Sequence, residues 1–335
     1  LEFRMVCGYL GLGLGFAIDV VDRGFHNTGI WGSIGAAAAA SKILKLDSAH
    51  AKMALGIAAS EAAGLRINFG TMTKPLHAGN AAKNGIVAAL LAKKGFASSE
   101  NALGGTLGFF KTFGGGEYDM EKMTEGLGKD YLMLSPKGIT IKHYPCCAAT
   151  HSSIDAVLYL REEHHIKPQE VAEIECATTP LLKSVLLYHR PSKGLEGKWS
   201  LEYCIARALV SGEVRLKHFT DEQVSAPEPE VQELMPRVKH VHPEELLELK
   251  DAYPPEGVKI TIKLKNGQSF SHTVSEPKGF AANPLSDDEL IAKYEECASL
   301  RLSRKAIERS KELLLDLERV ESIGELVDIV SLIAP

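Results

Sequence analysis

The 335-residue sequence predicts a mainly α-helical protein with an inserted α+β domain: a helical bundle carrying a smaller lid domain. Three observations lead there. Alanine-rich segments punctuated by glycine fill the first third of the chain, with a period suited to helices that pack closely. Alternating β-branched runs flank Asn266-Gly267, the strongest short-range signal for a β-hairpin. Capped helical patterns then return after Asn283.

From Arg4 to Val21 apolar residues occupy nearly every face, as in a buried helix. Gly8, Gly11, Gly13 and Gly15 lack the preceding strand and the following acidic residue that a dinucleotide fingerprint requires, so they are read as helix-packing positions. Leu1-Glu2-Phe3 reads as a cloning scar, and the chain as the later portion of a longer protein. Gly32 to Leu44 forms the next expected helix, with Ala36 to Ala40 supplying propensity and room for a close neighbour. Asp47 and Ser48 cap a third, over about 49–63, stopped by Gly64. Thr71 to His77 is expected to be a loop, because Pro75 breaks any preceding helix, and Ala78 to Lys94 a fourth helix ending at Gly95. Gly104 to Gly116 reads as a glycine-rich loop.

The pattern then changes. Gly138 to Tyr144 and Val171 to Thr178 alternate as strands, with helices expected over Ser152–Glu162 and Trp199–Val210. Val258–Leu264 and Ser269–Val274 form the hairpin. Ser286 caps a helix over Asp287–Ser299, followed by further helices to about Ile333. The expected division is therefore 1–136 helical, 137–280 α+β lid, and 281–335 helical again, completing the first domain.

A net charge of −5 leaves no basic footprint for nucleic acid, and the longest apolar runs are too short to span a bilayer. No signal peptide is visible. The six cysteines lack a disulfide-framework spacing, which fits a reducing cytoplasm, or a mitochondrial matrix if the source is eukaryotic.

Chemistry concentrates in a few stretches. Lys74 and His77 stand at the mouth of an alanine-rich helix, where unpaired backbone N–H groups add to their charge; this is the grammar of a site for a carboxylate-bearing small molecule. His77 either supports that run or touches the ligand. His26, between two helices, titrates near working pH and suits proton transfer. Lys142 closes the first lid strand. The adjacent Cys146-Cys147 pair lacks metal-site spacing and reads as buried thiols. His151 with Ser152, Ser153 and Asp155 is a helix-start pattern rather than a nucleophile elbow. Tyr203, on an amphipathic helix, is either core or a phenol donor.

Five separated segments resemble the MmgE/PrpD family, which includes 2-methylcitrate dehydratase, cis-aconitate decarboxylase and iminodisuccinate epimerase. They are Gly24–Gly29, Thr73–Lys83, Lys142–His151, Lys198–Tyr203 and Asn283–Ser286. The resemblance implies a helical domain and a lid with the active site between them. It also implies His26, Lys74 and Tyr203 as catalytic residues and a further basic residue at Lys142; Lys142 is read as substrate-binding, and the residue pattern itself adds His77 and His151 to that group. No cofactor and no metal are implied; the partners are a small tri- or dicarboxylate and a second copy in a homodimer. The activity it puts first is a hydro-lyase dehydrating 2-methylcitrate, as in propionate catabolism, with cis-aconitate decarboxylation or dicarboxylate epimerisation as alternatives. Family members also use an Asp/Thr/His group from an N-terminal segment without a counterpart here. A further alternative is therefore a non-catalytic binding or assembly fragment, inactive as this chain.

Overall fold

In the computed structural model the described residues are 20, 23–114, 118–131, 134, 138–179, 182, 185–242 and 258–331. The helix expected from Arg4 to Val21, with its glycines, lies outside them except for Val20, which is helical and buried.

Three helices make the first layer: α1 (Asn27–Ile43), α2 (Ser48–Ser60) and α3 (Thr73–Lys93). They pack on one another through small side chains. Ala37, Ala58 and Ala88 form one buried cluster, and Ala40, Ala54, Ala89 and Ala92 another. Gly85 marks the closest approach of α3 to α1, since a Cβ there would stand 2.4 Å from the Ala36 Cβ. α1 starts at Asn27, earlier than the expected Gly32. Gly29 sits in its first turn because a Cβ would meet the Ala63 carbonyl oxygen at 2.1 Å. Asp47 caps α2, its side chain accepting from the His50 N–H at 2.8 Å. Within the stretch expected to be a glycine-rich loop, Phe109–Phe113 forms a short helix. Phe109 and Phe110 bury against Ile30 and Ile34.

The run through Lys74 and His77 is helical, not a loop. α3 already begins at Thr73, because proline is tolerated in a first turn, where its missing N–H has no partner to lose. Gly138–Tyr144 does not form the expected strand. Ile139 and Ile141 are exposed, and among the described residues the segment's backbone is tied to a neighbour through Ile141 N–H, which donates to the Gly279 carbonyl at 2.9 Å. Alternation without a partner edge makes no strand.

The α+β part is a four-stranded sheet in the order β2-β1-β3-β4, built from β1 (Val171–Ala177), β2 (Val238–Val241), β3 (Val258–Leu264) and β4 (Ser269–Val274). β2 pairs parallel with β1, and β3 antiparallel with both β1 and β4. Helices α4 (His151–Glu163) and α5 (Leu201–Ser211) pack together, with α4 lying against β3 and β4. Val171, Ile174, Cys176, Ile260 and Ile262 face this layer with Ile154, Leu160, Ile205 and Leu209. Ser200 caps α5 and Gly212, at φ 69°, ends it. The C-terminal helices are α6 (Asp287–Ala298), α7 (Arg304–Leu315) and α8 (Ile323–Ser331). Ser286 and Glu289 form a capping box at the start of α6, and Glu296 accepts from the Leu216 N–H at 3.0 Å, tying α6 to the α+β part. Among the described residues no helix is long and apolar enough to cross a membrane.

Candidate active site

His26 lies where two chain segments are stitched together. Phe25 bridges Leu65, the His26 N–H donates to the Gly64 carbonyl at 3.0 Å, and Arg66 N–H donates to the Gly24 carbonyl at 2.8 Å. As the residue preceding α1, His26 uses its own carbonyl for the first helical bonds, from Gly29 and Ile30, while its side chain makes no cap bond. The imidazole is instead turned to α3, and its Nδ1 meets Nδ1 of His77 at 3.0 Å. Both rings are buried, 4 % and 8 % exposed. Gly64 makes the room. At φ +144° it takes a conformation disfavoured for other residues, and a Cβ would approach His77 Nδ1 to 3.2 Å.

Lys74, three residues before His77 on α3, brings the charge. Its Nζ lies 5.6 Å from the centre of the Trp199 ring. Trp199 stacks on Phe69 at 4.4 Å, and the edge of Phe69 meets His26 at 5.0 Å. Tyr188 donates its hydroxyl hydrogen to the Phe69 carbonyl at 2.7 Å, its ring lying where a Cβ on Gly70 would be. Tyr188 and Trp199, from the α+β part, thus clamp Phe69 and Lys74, from the helical part. Sequence reasoning passed over Phe69, Tyr188 and Lys198. The signal available was Trp199, inside the motif Lys198–Tyr203.

Lys142 and Lys198 join Lys74 across this junction. Lys142 donates from Nζ to the Cys146 carbonyl at 3.1 Å, and the Cys147 N–H donates to the Lys198 carbonyl at 2.9 Å, so the two lysines border one turn. Burial lowers the pKa of Lys74, and the nearby Lys142 ammonium lowers it further. Lys198 is lowered too, first by burial, with Cys146 opposing and Lys142 adding to the effect. His26 is driven down to about 3 by burial, then by the Lys74 charge, then by His77. His77 is lowered by burial and by Lys74. The site therefore holds cations in mutual repulsion beside a neutral imidazole. An anion bound among them relieves the repulsion, and a neutral imidazole can take or give a proton without first being desolvated.

Two expected site residues lie elsewhere. Tyr203 is fully buried; its hydroxyl donates to the His218 carbonyl and receives a bond from Arg207 Nη2 at 3.4 Å. Arg207 is itself 1 % exposed and paired with Glu228 at 2.7 Å, so the phenol belongs to a core network that closes the 200–228 segment. His151 is also fully buried, at the start of α4, its ring edge-on to Tyr144 at 5.2 Å, and has no surface to offer a ligand. Cys146, Cys147, Cys176 and Cys204 are buried free thiols. A shallow cavity of about 360 Å³ between α4 and the C-terminal segment has most of its charged groups paired with one another, Tyr144 with Asp155 at 2.5 Å, Asp155 with the Lys278 N–H, and Lys278 with Glu289, while Nδ1 of His143 in its wall has no hydrogen-bond partner among the described residues.

Residues 5–121 match the family model of the MmgE/PrpD N-terminal domain, and residues 144–319 that of the MmgE/PrpD C-terminal domain. The chain is 30% identical over 341 residues to cis-aconitate decarboxylase of Homo sapiens, an alignment covering 98% of this chain and 68% of that protein. It is 28% identical over 331 residues to the cis-aconitate decarboxylase-like protein oryM of Aspergillus oryzae, with 94% and 67% covered. Cis-aconitate decarboxylase of Aspergillus terreus is 26% identical over 338 residues, with 94% and 66% covered. The chain spans about two thirds of the length of these relatives.

Proposed function

Because the chain belongs to the MmgE/PrpD family, we propose that it is a lyase whose cationic junction binds a small unsaturated tricarboxylate of the cis-aconitate type and removes one carboxylate as carbon dioxide. The observation that carries this reading is a chain of neighbouring cations where helical and α+β parts meet: Lys142 acts on both Lys74 and Lys198, and Lys74 acts on the neutral His26. The names of the relatives favour decarboxylation over the dehydration of 2-methylcitrate that the motifs put first.

In the proposed reaction the ammonium groups hold two carboxylates while the third breaks its C–C bond. The electron pair moves into the conjugated system and builds an enolate-like anion beside Lys74, which stabilises it electrostatically. A proton delivered to carbon completes the exchange: tricarboxylate plus one proton gives dicarboxylate plus carbon dioxide. No step in this scheme calls on a coenzyme.

Product analysis tests the proposal. The chain is incubated with cis-aconitate, citrate and 2-methylcitrate and followed by 13C NMR. Release of carbon dioxide from cis-aconitate is the expected result. Loss of water from 2-methylcitrate with cis-aconitate untouched would replace the decarboxylase reading by the dehydratase, and inverted stereochemistry without mass change would replace it by the epimerase. Tight tricarboxylate binding with no turnover would favour the non-catalytic alternative.

A further inference from the structure

The contact between His26 and His77 has a consequence for how a proton reaches the substrate. Two Nδ1 atoms 3.0 Å apart form a hydrogen bond only if one carries hydrogen and the other presents a lone pair. The rings are held in place around this contact: the His26 backbone is pinned to Gly64 at 3.0 Å, Phe69 stands edge-on to its ring, and only a glycine at 64 leaves room for the His77 ring, since a Cβ there would approach its Nδ1 to 3.2 Å. Among the described residues Nε2 of His26 forms no hydrogen bond, so it is the atom left to offer.

Building on the lyase reading, we infer that His26 and His77 form a two-imidazole proton relay, in which His26 touches the substrate through Nε2 and His77 is the positioning residue that stores and returns the proton through Nδ1. In the loaded state the pair holds one extra proton. His77 carries hydrogen on both nitrogens and donates from Nδ1 to Nδ1 of His26, which carries hydrogen on Nε2. When His26 gives its Nε2 proton to the substrate carbon, it takes the bridging proton from His77. Both rings end neutral, with hydrogen on Nδ1 of His26 and Nε2 of His77; no charge or atom is left over. Run backwards, the same exchange removes a proton from carbon, so the relay serves addition and abstraction alike.

The ionisation of the pair agrees with this order. Burial and Lys74 lower both imidazoles, so the pair is neutral until an anion binds beside it, and the inference puts the added proton on His77. Among the described residues the charged group acting on the pair is Lys74, on the same helix as His77; Lys142 and Cys147 act on Lys74 from across the junction, and Phe69 meets the His26 ring edge-on. A bound tricarboxylate offsets those lysines and loads the relay.

The test uses the full chain and two substitutions. H77N keeps a hydrogen-bonding atom near the place of Nδ1 but cannot carry a proton; H77F removes both functions. The wild-type chain is expected to show a far-downfield bridging hydrogen coupled to two imidazole nitrogens in 15N-edited NMR, lost in H77F. Calorimetry in buffers of different ionisation enthalpy is expected to show uptake of about one proton per cis-aconitate bound, absent in H77N. Turnover of H77N should fall on the order of 100-fold with KM little changed, and its alkaline limb should move to lower pH. Wild-type turnover and an unmoved limb in H77N, or an absent bridging hydrogen, would overturn the relay and leave the lyase reading standing. A bridging hydrogen and proton uptake in a chain that turns over no carboxylate would do the reverse.

Discussion

His26 owes its neutrality to its surroundings, and the account can be tested on that one side chain. Burial is the larger cause and Lys74 the second. K74M should therefore raise the His26 pKa from about 3 toward its ordinary 6.5 without reaching it, which 15N NMR of the imidazole would measure. The same depression sets an acid limit. In the unfolded chain His26 takes its proton near 6.5, so stability is full above that value and falls as pH drops toward about 3. His218, held at about 4 by burial and by Arg207, adds to the slope in the same direction. Denaturant unfolding of H26F across that range should give a flatter acid limb. For Tyr203, buried in a core network, we propose a part in stability rather than turnover. Y203F leaves the His218 carbonyl with one donor fewer, costing about 1–3 kcal/mol by chemical denaturation, with turnover unchanged. That Lys74 and His77 stand together was legible from their three-residue spacing, although both lie inside α3 rather than before it. Tyr203 was not, since an amphipathic helix presents a core phenol and a cleft phenol alike until its partner Arg207, one turn on, is placed.

At the scale of elements, caps and turns were the most legible features. Asp47 and Ser286 both accept from the backbone of the helices they precede, and the Asn266-Gly267 turn closes its hairpin with Gly267 at φ 90°. Those signals are local, so the sequence carries them whole. The start of α3 was misread because Pro75 suits a first turn as well as it breaks an interior one. The strand β2 was missed and the strand over Gly138–Tyr144 wrongly expected for one reason: pairing is decided by a distant edge. β2 is four residues long and exists by lying parallel to Ile174–Ala177. Close helix packing yields the sharpest element-scale prediction. G85A puts a methyl 2.4 Å from the Ala36 Cβ, and overpacking of this kind costs about 1–3 kcal/mol, readable as a shifted denaturation midpoint at unchanged slope.

Across the whole molecule, the order helical, α+β, helical was readable because hydrophobic periodicity switches twice along the chain. The way the parts meet was less so: Phe69–Trp199 and Tyr188–Phe69 join residues 119 or more positions apart, and only the motif carrying Trp199 pointed there. Apolar side chains on the outer face of α3, among them Leu76 at 54% and Ile86 at 50% exposure, leave a surface that a second copy can cover. Light scattering is expected to find self-association, and a monomer at all concentrations would remove the homodimer. The central claim is that the lysine-rimmed junction binds a tricarboxylate, and calorimetric titration of the chain with cis-aconitate, beside K74A and K142A, tests it most directly. Binding that weakens at least about tenfold in each variant and with rising salt is the predicted result; affinity that is absent in the parent chain, or indifferent to both substitutions, would contradict it.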